Sequence, residues 1–263
     1  MTIEGRLQPI LKCTVRRLEV RKLQSSEDEL LRAISTEGSP RQDFVRALGN
    51  PGLSVIAEFK RSSPSAGTIA NRDLPATVQS YIDGGASACS ILTNEDHFGG
   101  SLVDLRRAAA LGIPCLRKDF VVDPYMLLEA RAHGASAVLL ISSILSQKQL
   151  QDFTDRAHEL DLAVLVEVHN EEQLSRAATV NPDAIGVNAR DLTDFSVCLD
   201  RTEQLLADIP TGPVTVAESG IYTPHDAQRM RTAGADAILV GTALMESTDP
   251  ARLLAQLRAG AQA

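Results

Sequence analysis

Acidic and basic side chains recur at the ends of short apolar runs in this sequence. Glu58 and Lys60 follow one such run, Lys118 follows another, and Glu167 lies near the end of a third. Because side chains alternate along a strand, Glu58 and Lys60 would lie on one face. A lysine and a glutamate on the same face can donate and accept protons, so the pattern is typical of acid–base catalysis.

Other polar or aromatic side chains follow the same kind of run. Alternation places Phe120 on the face of Lys118 and places Asn188 on the face of Arg190, and Glu218 ends a further run. A single charge at a strand end is typical of a solvated loop. Charges gathered in one mouth are costly to desolvate, so they persist there when they are paired or used.

Glycines and hydroxyls follow two of the later runs. These are Ser219-Gly220 and Gly241-Thr242, and Ser63 adds a hydroxyl after the first run. Glycine lets backbone N–H groups approach an anion, and the hydroxyls add donors. The pattern predicts a phosphate site, and the alternative is that these glycines only turn the chain.

Eight short apolar runs, separated by amphipathic stretches, must position these residues. Four of the runs are similar to one another, and their alignment on Ser87, Ser136, Asp183 and Asp236 gives spacings of 49, 47 and 53 residues. Each spacing fits two β/α units, and a further apolar run lies in each gap. The sequence therefore predicts a (β/α)8 TIM barrel with its site at the carboxyl ends of the strands. A doubly wound open sheet is the alternative fold.

The first 50 residues differ from the rest and predict a helical N-terminal extension. Leu7, Ile10, Leu11, Val15 and Leu18 recur at helical spacing. Ser26 and Glu29 form a capping-box signal for a second helix, which is predicted to end near Gly38-Ser39-Pro40 and to be followed by a short helix around Phe44 to Leu48. We expect one barrel domain over residues 1–263, with residues 1–50 as the extension and its helices beside or over the mouth.

Composition excludes several classes of function. The chain has 263 residues and a formal net charge of −8, without the basic clusters of a nucleic-acid or membrane binder. It has neither a signal-peptide core nor an apolar run near the roughly 20 residues that span a bilayer, so we expect a cytoplasmic protein.

The cysteines and histidines do not predict a metal site. The four cysteines are far apart, and the five histidines lack the spacing of metal ligands. His169 ends the fifth run, but Glu167 beside it has the better claim to a catalytic role.

The motifs at the strand ends resemble those of the indole-3-glycerol phosphate synthase family of tryptophan biosynthesis. The resemblance spans the whole chain, including the helical extension. The matching stretches, in order along the chain, are IAEFKRSSPS from Ile56, LT from Leu92 through FGGS from Phe98, LRKDF from Leu116 into DPY from Asp123, VEVH from Val166, IGVN from Ile185, VAESGI from Val216 and VG from Val240.

The resemblance implies a substrate and a reaction. The family converts 1-(2-carboxyphenylamino)-1-deoxyribulose 5-phosphate to indole-3-glycerol phosphate, carbon dioxide and water. Ring closure needs an acid for the ribulose carbonyl oxygen, and dehydration needs an acid for the leaving hydroxyl and a base for the ring-nitrogen proton. The iminium formed on ring closure serves as the electron sink, so no cofactor and no metal is expected.

The resemblance also implies roles for particular residues. Lys118 is the acid of ring closure, Lys60 binds the carboxylate or acts as the acid of dehydration, and Glu167 and Glu58 are the bases or orient the lysines. The other residues expected at the substrate are Ser63, Phe120, Asn188, Arg190, Glu218, Ser219, Gly220, Gly241 and Thr242.

Three other functions fit parts of the pattern. A phosphoribosyl isomerase on the same barrel would share the phosphate loops, and a flavin-dependent barrel enzyme would need a cofactor motif that does not stand out. A non-catalytic binder of a phosphorylated ligand would keep the phosphate loops and could lose Lys118 or Glu167, yet both are present. We expect a small phosphorylated substrate and a monomer or weak homo-oligomer.

Overall fold

Eight parallel strands close into a barrel, which confirms the predicted (β/α)8 fold. The computed structural model describes residues 7–34, 40–64, 67–191 and 194–260. Each strand pairs with the next along the chain, and the last pairs with the first. The strands are β1 Ser54–Phe59, β2 Ala88–Leu92, β3 Cys115–Lys118, β4 Ala137–Ile141, β5 Ala163–Val168, β6 Ala184–Asn188, β7 Val214–Glu218 and β8 Ala237–Val240.

Helices precede the barrel, surround it and follow its last strand. A short antiparallel hairpin, Ser62–Ser63 with Gly67–Thr68, lies in the loop after β1. The helices are α1 Leu7–Gln24, α2 Glu27–Ala33, α3 Pro40–Leu48, α4 Leu74–Asp83, α5 Glu95–Phe98, α6 Leu102–Ala109, α7 Tyr125–Ala132, α8 Gln147–Glu159, α9 Glu171–Ala178, α10 Leu199–Ala207, α11 Pro224–Thr232, α12 Thr242–Glu246 and α13 Pro250–Gly260.

Alternation along each strand divides the core into two layers. In β1, Val55, Ala57 and Phe59 pack outward in the large cluster under the helices, whereas Ile56 belongs to the cluster inside the barrel. Glu58, two residues after Ile56, lines the cavity at the mouth. The same period of two places Leu116 inside the barrel and Lys118 at the mouth. The apolar core of each strand thus leads directly to a site residue.

Small residues line the interior at the amino end of the barrel. The even-numbered strands contribute one alanine each to the inner cluster, namely Ala88, Ala137, Ala184 and Ala237. These alanines belong to the four similar sequence segments. Phe44 and Leu48 of α3 are fully buried in the same cluster. The small side chains therefore leave room for α3 to close this end of the barrel.

The N-terminal extension covers both ends of the barrel, not only the mouth. Leu7 and Ile10 of α1 line the cavity at the carboxyl end. The Nε of Arg41 in α3 lies 2.9 Å from the Oδ1 of Asp183, just before β6, so α3 lies at the opposite end. The expectation that the extension would lie by the mouth holds for α1 and was wrong for α3.

The boundaries within the extension differ in detail from those predicted. The capping box of Ser26 and Glu29 begins α2 as expected. The helix ends at Ala33, earlier than predicted, and the predicted stop signal at Gly38 and Ser39 lies outside the described residues. Among the described residues, no helix is both long enough and apolar enough to span a membrane.

Candidate active site

Four ionisable side chains form the uppermost layer inside the barrel. All four come from odd-numbered strands, as the alternate-strand layering of this fold requires, and they are Glu58, Lys118, Glu167 and Glu218. The Nζ of Lys118 lies 3.2 Å from Oε2 of Glu167 and 3.3 Å from Oε2 of Glu218. The ammonium group of Lys118 therefore lies between the carboxyl groups of Glu167 in β5 and Glu218 in β7.

The carboxylates hold Lys118 in its protonated form. Burial alone would lower the pKa of Lys118, but the charges of Glu167, Glu218 and Glu58 outweigh burial and raise this pKa well above its ordinary value. Burial likewise opposes ionisation of Glu167, yet Lys118 and then His169 lower its pKa. Lys118 is thus poised as a proton donor, and Glu167 as an ionised partner.

A second lysine–glutamate pair stands beside the first. The Nζ of Lys60 lies 2.8 Å from Oε1 of Glu58, and both side chains are largely buried. Burial opposes ionisation of Glu58, but Lys60 and Lys118 lower its pKa overall. A Cβ at position 241 would lie 2.3 Å from the same Glu58 oxygen. Gly241 therefore leaves the space that this pair occupies.

Glu218 differs from the other two glutamates in its proton affinity. Its side chain is 1% exposed, and burial raises its pKa to about 8 despite the opposing charge of Lys118. Within the described part of the chain, neither of its oxygens makes a hydrogen bond of good geometry, although Oε2 faces Lys118. Glu218 therefore holds its proton to a higher pH than Glu58 and Glu167 do.

Asn188 and Arg190 form the wall after β6. The side chain of Asn188 accepts a hydrogen bond from the backbone N–H of Arg190 and forms another with Glu167. The guanidinium of Arg190 donates to the carbonyl of Phe195 at 3.0 Å. Arg190 thereby holds the following loop against the cavity, and it adds a positive charge to the mouth.

The loops after β7 and β8 form a corner rich in backbone N–H groups. Ser219 and Gly220 both have positive φ, at 66° and 75°. Gly241 is the N-cap of α12 without a side-chain capping bond, and Thr242 opens the helix. All four residues line the cavity, together with Ser63. Successive amides in such turns can surround an anion.

Every predicted site residue lines this one cavity, so the structure brings the whole set together. Their roles in catalysis and binding stay predictions. Several lining residues were not predicted as parts of the site, namely Leu7, Ile10, Phe98, Phe195 and Tyr222.

The cavity holds a large share of the few aromatic residues in the chain. The chain has nine phenylalanines and tyrosines and no tryptophan. Four of the nine line the cavity, and the rings of Phe98 and Phe120 lie 6.2 Å apart between centroids. Such a concentration in an aromatic-poor protein indicates a ligand with a flat apolar part.

The fold and the site together define a class of protein. The molecule has the architecture of a (β/α)8-barrel enzyme, with two lysine–glutamate pairs and a corner of glycine-containing turns at the strand ends. Within the described residues, no group of histidine, cysteine and acidic side chains is arranged to hold a metal ion.

Comparison with known proteins specifies the class further. The family model for indole-3-glycerol phosphate synthase matches residues 7–257. Proteins with that name from Mycobacterium avium and Mycobacterium leprae are similar to this chain. The first is 45% identical over 86% of this chain and 84% of its own length, and the second is 43% identical over 95% and 93%. The chain belongs to the indole-3-glycerol phosphate synthase family.

Solved structures with low sequence identity share the barrel. The tryptophan synthase alpha subunit from Legionella pneumophila superposes with a TM-score of 0.64 over 86% of this chain and 99% of its own, at 11% identity. The 3-hexulose-6-phosphate synthase from Salmonella typhimurium gives a TM-score of 0.62 over 80% and 99%, at 12% identity. At such identities the similarity concerns the fold alone.

Proposed function

We propose that this protein catalyses the reaction of its family, in which a carboxyphenylamino-deoxyribulose phosphate closes to indole-3-glycerol phosphate with loss of carbon dioxide and water. One observation carries the proposal for the site. Lys118 is buried among three carboxyl groups that raise its pKa, so it stays protonated at the mouth of the barrel. An acid with a fixed position is what ring closure needs.

In the first step, Lys118 donates its proton to the ribulose carbonyl oxygen. The aromatic carbon that bears the carboxylate attacks the carbonyl carbon at the same time, and an iminium forms. Carbon dioxide then leaves, and its bonding electrons neutralise the iminium. Glu167, 3.2 Å from Lys118, fixes the ammonium group; once it has taken a proton from the ring in the later step, it is placed to pass that proton back to Lys118.

In the second part of the reaction, the Lys60–Glu58 pair acts on the hydroxyl that ring closure created. Lys60 protonates this hydroxyl as it leaves, and Glu58 orients the ammonium group from 2.8 Å. Glu167 is ionised beside Lys118 and takes the proton that the ring loses. Two neighbouring acid–base pairs thus serve the two proton transfers to oxygen.

Binding uses the remaining walls of the cavity. The phosphate lies against Ser219, Gly220, Gly241 and Thr242, where two loops and the uncapped N-terminus of α12 present N–H groups. Ser63 completes this corner. Phe120, with Phe98 beside it, packs on the anthranilate ring, and Asn188 and Arg190 contact the substrate between these two ends.

The test of the proposed function is a direct assay of Lys118→Ala. Indole fluorescence reports product with low background, because the chain has no tryptophan. We expect turnover in the wild type and a fall of about 10²–10⁴-fold in kcat in the variant, as for loss of a positioned general acid. Circular dichroism checks that the variant is folded.

Other results of this assay would point elsewhere. A folded wild type that binds the substrate without forming product would favour the non-catalytic binder. Failure to bind would mean a different phosphorylated substrate. Two further expectations belong to the proposal: a cytoplasmic location and a monomeric or weakly homo-oligomeric state, the latter checked by light scattering.

A further inference from the structure

His169 is a largely buried histidine that the proposed mechanism leaves unused. It follows β5, and its side chain is 10% exposed. Its backbone N–H donates to Oε1 of Gln173 in α9 at 2.9 Å, and its Nδ1 lies 3.3 Å from the same oxygen. A backbone N–H can only donate, so Gln173 presents its oxygen and not its amide nitrogen. The ring must therefore carry a hydrogen on Nδ1.

The other ring nitrogen faces the candidate base. The Nε2 of His169 lies 3.4 Å from Oε1 of Glu167, and within the described residues it makes no hydrogen bond of good geometry. A neutral ring with its hydrogen on Nδ1 would direct the lone pair of Nε2 at a carboxylate oxygen. Two acceptors that face each other in a buried site repel, unless one of them takes a proton.

We infer that His169 is a positioning residue that shares a proton with Glu167 and thereby holds this carboxylate toward Lys118. The inference rests on the proposed function, in which Glu167 is a base. It assigns the two oxygens of Glu167 to different partners, since Oε2 contacts Lys118 and Oε1 contacts His169. The proton moves between Nε2 and Oε1 without any other reactant.

The charges around the pair determine what the loss of His169 would do. Lys118 of β3 faces Glu167, and the carboxyl groups of Glu58 in β1 and Glu218 in β7 interact with it across the layer. Burial and the two neighbouring glutamates favour a protonated Glu167, while Lys118, His169 and a hydrogen bond with Asn188 favour the ionised form. Removing His169 leaves Lys118 as the main opposing charge, so the pKa of Glu167 rises.

Two substitutions separate the two contacts of the ring. His169→Asn keeps a donor near the position of Nδ1, for Gln173, but does not reach Glu167. His169→Gln places an amide N–H near the position of Nε2 and can donate to Glu167 without titrating. In His169→Asn we expect the acidic limb of kcat against pH to move up by about one unit, which is about a tenfold loss of kcat below it. KM should stay within about twofold, because His169 does not line the cavity.

The conservative variant provides the readout that a purely structural role would not move. His169→Gln should recover most of the kcat that His169→Asn loses and should restore the position of the acidic limb. Superimposable acidic limbs for the wild type and His169→Asn would overturn the inference. Equal losses in both variants, with the limb unmoved, would overturn it as well and indicate packing alone.

A measurement on the wild type decides the matter even if a variant does not fold. Long-range proton–nitrogen NMR spectra of the histidine rings report which nitrogen carries a hydrogen. We expect His169 to carry a hydrogen on Nδ1 across the range of activity. A neutral ring protonated only on Nε2 overturns the inference. These spectra do not depend on turnover, so absence of activity would count against the proposed function alone.

Discussion

At the scale of single residues, one proton on Glu218 sets the charge of the site. Two lysines, Lys60 and Lys118, face the carboxylates of Glu58 and Glu167, whose pKa values are lowered by the lysines against the effect of burial. Glu218 holds its proton to a higher pH because burial raises its pKa to about 8. While Glu218 is protonated, the two lysines balance the two carboxylates, and Arg190 gives the mouth a positive charge. Such a mouth attracts a substrate with a phosphate and a carboxylate, although the whole protein is acidic.

A glycine in β6 makes room for Glu218, and we predict a large effect of filling that room. A Cβ at Gly186 would lie 2.1 Å from Oε1 of Glu218, which is buried and cannot move to solvent. Gly186→Ala should therefore displace Glu218 from Lys118 and lower kcat/KM by about a hundredfold, as small misplacements of reacting groups do. Steady-state kinetics with indole fluorescence measures the effect.

Gly49→Ala is the matched control for that substitution. A Cβ at Gly49 would meet only the carbonyl oxygen of Val45 at 3.4 Å, an ordinary contact, and its position lies far from the mouth. Its kcat/KM should equal that of the wild type. Wild-type kinetics in Gly186→Ala would show that the position of Glu218 does not matter for turnover.

The sequence predicts the inward-facing residues of this site better than its outer supports. The period of two in a strand is enough to place Glu58, Lys118 and Glu167 on the inner face. The contact of His169 with Glu167 depends on the position of Gln173 in the next helix, and α1 and α5 bring Ile10 and Phe98 to the cavity. Contacts between distant segments leave no periodic trace in a single sequence.

At the scale of elements, a buried ionic network joins the N-terminal extension to the catalytic strand. Arg117 of β3 points away from the mouth, and its guanidinium contacts Asp119 and Glu129. Glu129 of α7 also accepts two hydrogen bonds from Arg21 of α1. The helix that carries Ile10 over the cavity is thus attached to the strand that carries Lys118.

Two arginines one turn apart in α1 test the importance of this network. Arg21→Met should cost about 1–3 kcal/mol of unfolding free energy, since it removes charged hydrogen bonds in a partly buried site. It should also raise KM, because α1 covers the mouth. Arg17→Met, at an arginine whose side chain is 46% exposed beside Glu95 and Asp96, should change the unfolding free energy far less and leave KM unchanged, because exposed ion pairs contribute little. Urea unfolding and kinetics measure both, and equal effects would contradict the role of the network.

The elements show why the strands were predictable from the sequence, whereas the buried face of α1 was predictable only in part. The alanine-rich repeat predicts its strands because each copy must fill the same interior position, next to α3. The prediction of the buried face of α1 was partly wrong, since Val15 is 46% exposed while Thr14 is buried. The hydroxyl of Thr14 donates its hydrogen to the carbonyl of Ile10. A threonine that satisfies its hydroxyl within the helix can be buried, which hydrophobic periodicity does not reveal.

At the scale of the whole molecule, stability and activity come from different layers of one interior. The alanine layer and the apolar layer above it close the barrel with α3, while the ionisable layer at the mouth buries charges that a structural core would exclude. Buried charges stabilise a fold only when each finds a partner. Among the described residues, Glu218 is the one glutamate of this layer that has no lysine of its own, because Lys60 pairs with Glu58 and Lys118 with Glu167. Ionisation of Glu218 should therefore reduce the global stability of the protein.

The last prediction therefore concerns global stability against pH. The folded-state pKa of Glu218, raised by burial to about 8, exceeds its ordinary value of 4.5. Between these values the folded protein holds a proton that the unfolded chain has released, so the stabilisation from this group is complete below the lower value and is lost as pH rises toward 8. Glu218→Gln cannot lose this proton. Relative to the wild type, its unfolding free energy should rise between about pH 5 and about pH 9 in urea melts. Glu159→Gln, at a carboxylate whose side chain is 63% exposed, should show no such trend. A pH-independent difference for Glu218→Gln would mean that Glu218 is already ionised in the folded protein, and the neutral acid beside Lys118 would have to be abandoned.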